Sequence, residues 1–260
     1  MKPTTLSLPL LILLFSLPSA QAAPSCAPQF LNLLKSHDYR SYQVYEGLSN
    51  KNDFFQYMNC GKWDGDIFAA IHEGIHGWDY DQLVYHLDSG DSIEMPEEGA
   101  GPAPRLIARE VSDSPYHNPY FTDTSAESSK RLRGLLEEMN GYTRELISAA
   151  RLIHKLHNDN ESTSQRDGVA NMMYFVKIYL YRVGDNAGAW NKLINSPDAV
   201  NALRRLWFQA DMSLQMSCPI PSLGMDDRKW IQRVYSKDKN RGIAAILGKA
   251  PEMPAECGGK

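Results

Sequence analysis

The sequence lacks the features that mark several common functional classes. Its 27 lysines and arginines are scattered through 260 residues of net charge -4, and no basic run exceeds a short pair such as Arg204-Arg205. A nucleic-acid-binding protein normally carries a basic stripe, so we expect no nucleic-acid partner. Internal repeats and long linkers are also missing. With 43% hydrophobic residues, the mature chain is expected to fold as a single domain over residues 23–260.

Long hydrophobic runs are absent except at the amino terminus. Residues 6–17 are mostly apolar, follow Lys2, and precede the small-residue stretch from Ser19 to Ala22. This pattern is typical of a secretory signal peptide and is too short for a membrane span. We predict a signal peptide over residues 1–22 and a periplasmic or secreted protein with no membrane span in the mature chain. The residues before Cys26 lack the apolar residue of a lipidation signal, which favours a soluble protein.

Cysteine is scarce, and no C-x-x-C metal knuckle occurs. Four cysteines remain in the mature chain, namely Cys26, Cys60, Cys218 and Cys257. In an oxidising compartment an even number predicts two disulfides, for which three pairings exist. We favour the local pairing, Cys26 with Cys60 and Cys218 with Cys257, because it would hold each end of the chain to its neighbouring segment.

Helical periodicity dominates the rest of the chain, so the fold class is expected to be mainly α. Apolar spacing predicts a long helix through about residue 157, opened by a capping box from Thr124 to Glu127, and further helices over residues 166–183, 187–194, 197–216, 227–235 and 241–247. Residues 83–87 and 92–95 alternate around a turn that contains Gly90, which predicts a small β-hairpin. The segment 39–57 has no clear pattern.

One short motif has a specific chemical meaning. His72-Glu73-Gly-Ile-His76 lies in a stretch, residues 67–78, whose only charged residue is Glu73. On a helix, two histidines four residues apart leave the same face and can reach one metal ion, with the glutamate beside it. Asp64 or Asp66 is expected to cap this helix. A buried helix whose histidines only form hydrogen bonds in the core is the structural alternative.

A catalytic zinc site needs a third protein ligand. The extended metzincin motif is excluded, because Asp79 and Gln82 stand where it needs glycine and histidine. A carboxylate on a second helix is the remaining common solution. Glu138 lies at the edge of the stripe formed by Leu135, Met139 and Tyr142, whereas Glu137 is expected to point away from it. We therefore predict His72, His76 and Glu138 as metal ligands, with Glu145 as the second choice and Glu127 less favoured.

The two segments together resemble the gluzincin type of zinc metallopeptidase, in which a helical glutamate follows His-Glu-x-x-His. The resemblance covers only these two helices and implies a zincin-like helical domain that binds Zn²⁺. It implies Glu73 as the general base, and Tyr142, one turn beyond Glu138, is a candidate oxyanion donor. Weaker candidates for that donor are His154, His157, Tyr181 and Arg182. Tyr142 occupies a position where several gluzincins carry an acidic residue, which leaves the partner that orients the histidines open among Asp79, Asp113 and Asp167.

Three functional hypotheses follow. The first is an exported zinc-dependent metallopeptidase that hydrolyses a peptide or protein substrate. The second is a zinc amidase that acts on a cell-wall amide, because the motif specifies hydrolytic chemistry and leaves the acyl group open. The third is a catalytically silent binding or assembly protein on the same scaffold. The intact Glu73 favours an enzyme, since a structural zinc site needs no base beside the metal.

Overall fold

The computed structural model describes residues 24–58, 60, 67–122, 131–156 and 163–258. Several sequence predictions fall outside these ranges: the signal peptide over residues 1–22 with its cleavage after Ala22, the caps at Asp64 or Asp66, the capping box from Thr124 to Glu127, and the side chain of His157. The described residues confirm a mainly α fold with one small antiparallel β-hairpin.

The amino-terminal part packs aromatic residues around a disulfide. Helices α1 (Ala27–His37), α2 (Tyr39–Gly47) and α3 (Asn52–Phe55) precede the motif helix α4 (Ala69–Gln82). Segment 39–57, which had no clear pattern, is therefore largely helical. Phe30 contacts Phe54 and Phe68 at ring-centroid distances of 6.4 and 6.3 Å, and all three are fully buried. This aromatic cluster supports the outer side of α4.

The hairpin follows the motif helix directly. Leu83, at φ +57°, ends α4 in the left-handed conformation and turns the chain into β1 (Val84–His86), which pairs with β2 (Ser92–Glu94). The predicted hairpin is thus confirmed. Asp79 near the end of α4 accepts hydrogen bonds from the backbone and imidazole of His86 at 2.9 and 2.8 Å and from Asn140 at 2.8 Å. These bonds fix α4 against both the hairpin and the next long helix.

The carboxyl-terminal half is helical. A short 3₁₀ turn, Pro104–Ile107, and helix α5 (His117–Phe121) lead to α6 (Leu132–Leu156), and the remaining helices are α7 (Gln165–Val183), α8 (Ala187–Ile194), α9 (Pro197–Ser217), α10 (Asp227–Tyr235) and α11 (Arg241–Leu247). Helices α7 to α11 are confirmed to within a residue at each end. Helix α6 reaches Leu156 as predicted but begins at Leu132, after the non-helical Arg131, and the predicted capping box lies outside the described residues. Helix α6 packs against α4, α7 and α9.

Helix α7 is buried nearly all round and forms the centre of the core. Its Lys177 is 1% exposed, and its ammonium group donates to the carbonyl oxygens of Arg233, Val234 and Ser236 at 2.8 to 3.0 Å. These acceptors lie at the carboxyl end of α10, where backbone carbonyls lack helical partners. A buried lysine is therefore accommodated as a cap for a neighbouring helix.

Both disulfides have the predicted local pairing. Cys26 is bonded to Cys60, and Cys218 is bonded to Cys257. The two bonds fit an extracellular or periplasmic protein, because disulfides persist in oxidising compartments. Among the helices described, none has both the length and the apolar character needed to cross a bilayer.

Candidate metal centre

Helices α4 and α6 bring the predicted ligands together. One ligand atom each from His72, His76 and Glu138 lies within 4.8 Å of the other two, and the group could hold a metal ion. Glu138 Oε2 lies 3.5 Å from His72 Nε2 and 3.7 Å from His76 Nε2. Ligand atoms of a tetrahedral site with bonds of 2.0–2.2 Å lie about 3.3–3.6 Å apart. The spacing thus fits ligands around a shared ion better than direct hydrogen bonds.

The close approach of the two helices depends on a glycine. A Cβ atom added at Gly141 would lie 2.9 Å from His72 Nε2 and 3.0 Å from His76 Cε1. Any side chain at this position would therefore occupy the space of the two imidazole rings. Helix α6 continues through Asn140-Gly141 as one helix. The glycine provides room for the histidines rather than a break in the helix.

Two further glutamates contact the outer nitrogens of the histidines. His72 Nδ1 lies 3.2 Å from Glu145 Oε2, and His76 Nδ1 lies 3.3 Å from Glu137 Oε1. The contact of His76 is an ion pair without hydrogen-bond alignment, because neither atom has a partner that satisfies the geometry. Both contacts leave the Nε2 atoms directed towards Glu138. Carboxylates on the outer nitrogen are the usual means of orienting a metal-binding histidine.

This arrangement corrects two sequence-based expectations. Glu137, which was expected to point away from the side of α6 that carries the ligand, is only 1% exposed and contacts His76. The orienting partners are Glu137 and Glu145 instead of Asp79, Asp113 or Asp167, each of which is engaged elsewhere. Asp79 binds His86 and Asn140, Asp113 pairs with Lys229 and Arg233, and Asp167 accepts from the backbone of Met225 and Asp226.

The electrostatics of the group call for positive charge at its centre. Burial lowers the pKa of His76, but the carboxylates of Glu137 and Glu138 outweigh burial and raise that pKa to about 10. Burial likewise opposes ionisation of Glu138, and the two histidines outweigh it and hold its pKa below the ordinary range. In addition, the buried Nε2 atom of His76 has no hydrogen-bond partner among the described residues. Buried carboxylates and an unpaired imidazole nitrogen fit a cation-binding site.

The ligand group opens into a cavity of about 550 Å³. Glu73 is half-buried and lines it beside both histidines. Tyr142 also lines it, with its ring edge-on to His72 at a centroid distance of 4.4 Å. The predicted base and the predicted oxyanion donor thus face the same space as the ligand group.

Two tyrosines of the cavity were not predicted. Tyr120 of α5 shares a 2.9 Å hydrogen bond between its hydroxyl and that of Tyr142, and the ring of Tyr116 lies edge-on to Tyr142 at 5.6 Å. Burial raises the pKa of all three hydroxyls above the ordinary value, so each keeps its proton and can donate a hydrogen bond. The irregular stretch from Ser114 to Tyr120 was visible in the sequence, but nothing local places it over α6.

Three of the other candidates for an oxyanion donor, His154, Tyr181 and Arg182, are described and do not line the cavity. His154 is exposed on α6. Tyr181 packs under Arg241, and Arg182 pairs with Glu110 and Asp185. The aromatic residues of the α2 and α3 region, Tyr45, Phe54 and Phe55, pack against one another at centroid distances of 5.5 to 5.8 Å. They belong to the core and its edge rather than to the cavity wall.

Comparison of the chain with protein-family models, with curated proteins and with solved structures finds no match.

Proposed function

We propose that the protein is an exported zinc-dependent hydrolase that cleaves peptide bonds. The observation that carries this proposal is the convergence of His72, His76 and Glu138 with Glu73 in one cavity. Two histidines and one glutamate form a ligand set used by catalytic zinc sites, which leave one position open. A glutamate beside that position has a role in hydrolysis and none in a purely structural site.

Zinc in such a site would supply a Lewis acid and increase the acidity of water at its open position. Glu73 takes the proton of the attacking water and transfers it to the nitrogen of the leaving amine as the carbonyl carbon–nitrogen bond breaks. The hydrogen-bonded hydroxyl pair of Tyr142 and Tyr120, which lines the same cavity, provides a donor for the oxygen that becomes negative. Glu137 and Glu145 hold the imidazoles in place during these steps.

Metal analysis together with one isosteric substitution tests this function. Purified protein should contain about one zinc per chain, and Glu73→Gln should keep that zinc because residue 73 is not a ligand. Hydrolysis of a peptide library should fall at least about a hundredfold, as expected when a general base is removed. Glu94→Gln, an exposed change of the same kind on β2, is the matched control and should leave hydrolysis unchanged.

Two results would contradict the proposal. The first is a well-folded protein that binds no zinc after incubation with an excess of the metal. The second is zinc-loaded Glu73→Gln protein that hydrolyses peptides as fast as the wild type, which would mean that Glu73 is not the base.

A further inference from the structure

The cavity has an unusual balance of charge. Four carboxylates line it, from Glu73, Glu137, Glu138 and Glu145, and no lysine or arginine does so among the described residues. Two of these groups are only 1% and 8% exposed, namely Glu137 and Glu138. Both carboxylate oxygens of Glu137 are buried without a hydrogen-bond partner. The cavity therefore holds strong negative charge in a partly dry setting, where that charge is weakly screened.

Several carboxylates in other parts of the molecule are neutralised by arginine. Asp88 pairs with Arg144 and Arg151, and Asp227 pairs with Arg166. Other structural carboxylates have neutral donors, since Asp79 accepts from Asn140 and Asp167 accepts from two backbone amides. Glu137, Glu138 and Glu145 of the cavity are in contact with histidines instead, so their charge is available to a bound metal and to a substrate.

The charge of one divalent ion does not balance the negative charge of the cavity. With both histidines neutral as ligands, a metal of charge +2 compensates two of the four carboxylates and leaves two negative charges. The walls add the rings of Tyr116, Tyr120 and Tyr142, and the ring of Tyr80 at the rim already carries the guanidinium of Arg133 at 5.5 Å from its centroid. Faces of aromatic rings attract cations. A substrate carboxylate, in contrast, would meet no positively charged side chain among the lining residues.

We propose that the site selects peptides with an ammonium group close to the scissile bond. This inference rests on the proposed function. The ammonium group comes either from a lysine side chain or from a free amino terminus, and both have the same chemistry. The same charge balance disfavours acidic side chains and a free carboxyl terminus in the cavity, which excludes a carboxypeptidase type of specificity.

The test uses zinc-loaded protein and matched peptides. An otherwise neutral sequence carries a single Lys, Gln or Glu that is moved along its length, and each peptide is made with a free and with an acetylated amino terminus. We expect kcat/KM for the best Lys peptide to exceed that of its Gln counterpart about tenfold at low ionic strength, with the Glu peptide lower still. The ratio should shrink as salt is raised. A preference that survives acetylation identifies the side chain as the source, and one lost on acetylation identifies the amino terminus.

A variant that changes the charge at the rim tests whether the charge of the cavity causes the preference for Lys peptides. Ser164 lines the cavity, is exposed, and makes no capping hydrogen bond with its side chain at the start of α7. Ser164→Lys should reduce the preference for Lys over Glu several-fold, whereas the uncharged control Ser164→Gln should preserve it. Equal rates for Lys and Glu peptides, or faster cleavage of Glu peptides, would overturn the inference.

A failure of the proposed function gives a different pattern. If zinc-loaded protein cleaves none of the peptides, the assigned hydrolysis is wrong, and charge selection is then measured by binding of the uncleaved Lys, Gln and Glu peptides to that protein. Tighter binding of Lys peptides would support the inference about charge, and tighter binding of Glu peptides would overturn it.

Discussion

Glu137 and Glu145 illustrate how single residues determine the orientation of the candidate ligands. They contact the Nδ1 atoms of His76 and His72 at 3.3 and 3.2 Å. Each contact restricts rotation of an imidazole ring and leaves its Nε2 atom for the metal. Together with Glu138, three carboxylates of one helix thus surround the histidine pair.

Removing either orienting charge should weaken zinc binding without abolishing it. We expect Glu137→Gln and Glu145→Gln each to lower zinc affinity about 10- to 100-fold, because the histidine loses a basic partner that also fixes its ring. Glu138→Gln should have a larger effect, since it removes a ligand. Competition with a chromophoric chelator measures all three affinities. Equal losses in the three variants would contradict the division between ligand and orienting residues.

At the scale of elements, the site depends on how closely α4 and α6 approach each other. Gly141 faces both imidazoles, so the backbone of α6 approaches the two rings with no side chain of its own between them. Glycine in a helix interior costs roughly 1 kcal/mol relative to alanine. Glycine at this position therefore lowers the stability of the helix and leaves the space that the two imidazole rings occupy.

Gly141→Ala should consequently separate stability from metal binding. The added methyl group overlaps His72 and His76, so we expect zinc affinity to fall at least about tenfold while the helical content of the protein is preserved. Circular dichroism and chelator competition measure the two properties. Gly188→Ala in α8 is the matched control, because the nearest atom to its Cβ lies at 3.4 Å. Unchanged zinc affinity in Gly141→Ala would contradict the assigned packing.

The sequence predicted the helices and the hairpin better than it predicted how they pack against one another. Periodicity located α6 to α11 and the hairpin, because these segments carry strong local patterns. The predicted orientation of Glu137 was wrong because α6 has no face that is fully open to solvent at this residue. The helix is instead covered by α4, α7 and α9, so residues on several sides of it are buried. Which sides are covered depends on tertiary packing, which a single helical pattern does not contain.

The positions of the tyrosines that line the cavity also depend on tertiary packing. Tyr142 was predicted because it lies one turn from Glu138 on the same helix. Tyr116 and Tyr120 belong to a segment with no clear period, and only long-range contacts bring them to the cavity. His72, Glu73, His76 and Glu138, in contrast, were predictable because the chemistry of a metal site imposes residue types and spacing. Their roles remain predictions until metal and activity are measured.

At the scale of the whole molecule, ion pairs join the segment from Ser114 to Tyr120, which carries two tyrosines of the cavity, to helix α10. Asp113, just before that segment, pairs with Arg233 at 2.7 Å and with Lys229 at 3.0 Å. Arg233 and Lys229 hold the pKa of Asp113 below its ordinary range. Because the folded-state pKa is depressed, the stabilisation is present at neutral pH and is lost as the pH falls below about 4.

The stability difference between wild type and Asp113→Asn should follow this dependence. We expect wild type to be more stable by less than about 1 kcal/mol at pH 7, since the pair is exposed and screened. The difference should decrease as the pH is lowered through the range in which Asp113 takes up its proton. Urea unfolding at a series of pH values measures it. A difference that grows towards acid pH would contradict the sign.

The four disulfide-bonded cysteines are not among the described residues that line the cavity. Cys218 and Cys257 close a loop of 39 residues, for which chain entropy predicts a stabilisation of about 4 kcal/mol. The double variant Cys218→Ser with Cys257→Ser should lower the free energy of unfolding by about 2–4 kcal/mol and leave zinc affinity unchanged. Chemical denaturation and chelator competition check the two expectations. Loss of zinc binding in a folded variant would show that this bond supports the site.

The spacing of residues along α6 also provides a signature for recognising other chains. Glu137 and Glu138 stand three or four residues before Gly141, and Glu145 follows four residues after it, so the helix reads Glu-Glu-x-x-Gly-x-x-x-Glu. Each fixed position has its own reason: an orienting carboxylate, a ligand, a gap for two imidazoles and a second orienting carboxylate. A chain that combines this pattern with an upstream His-Glu-x-x-His helix is expected to form the same centre, however much the rest of its sequence differs.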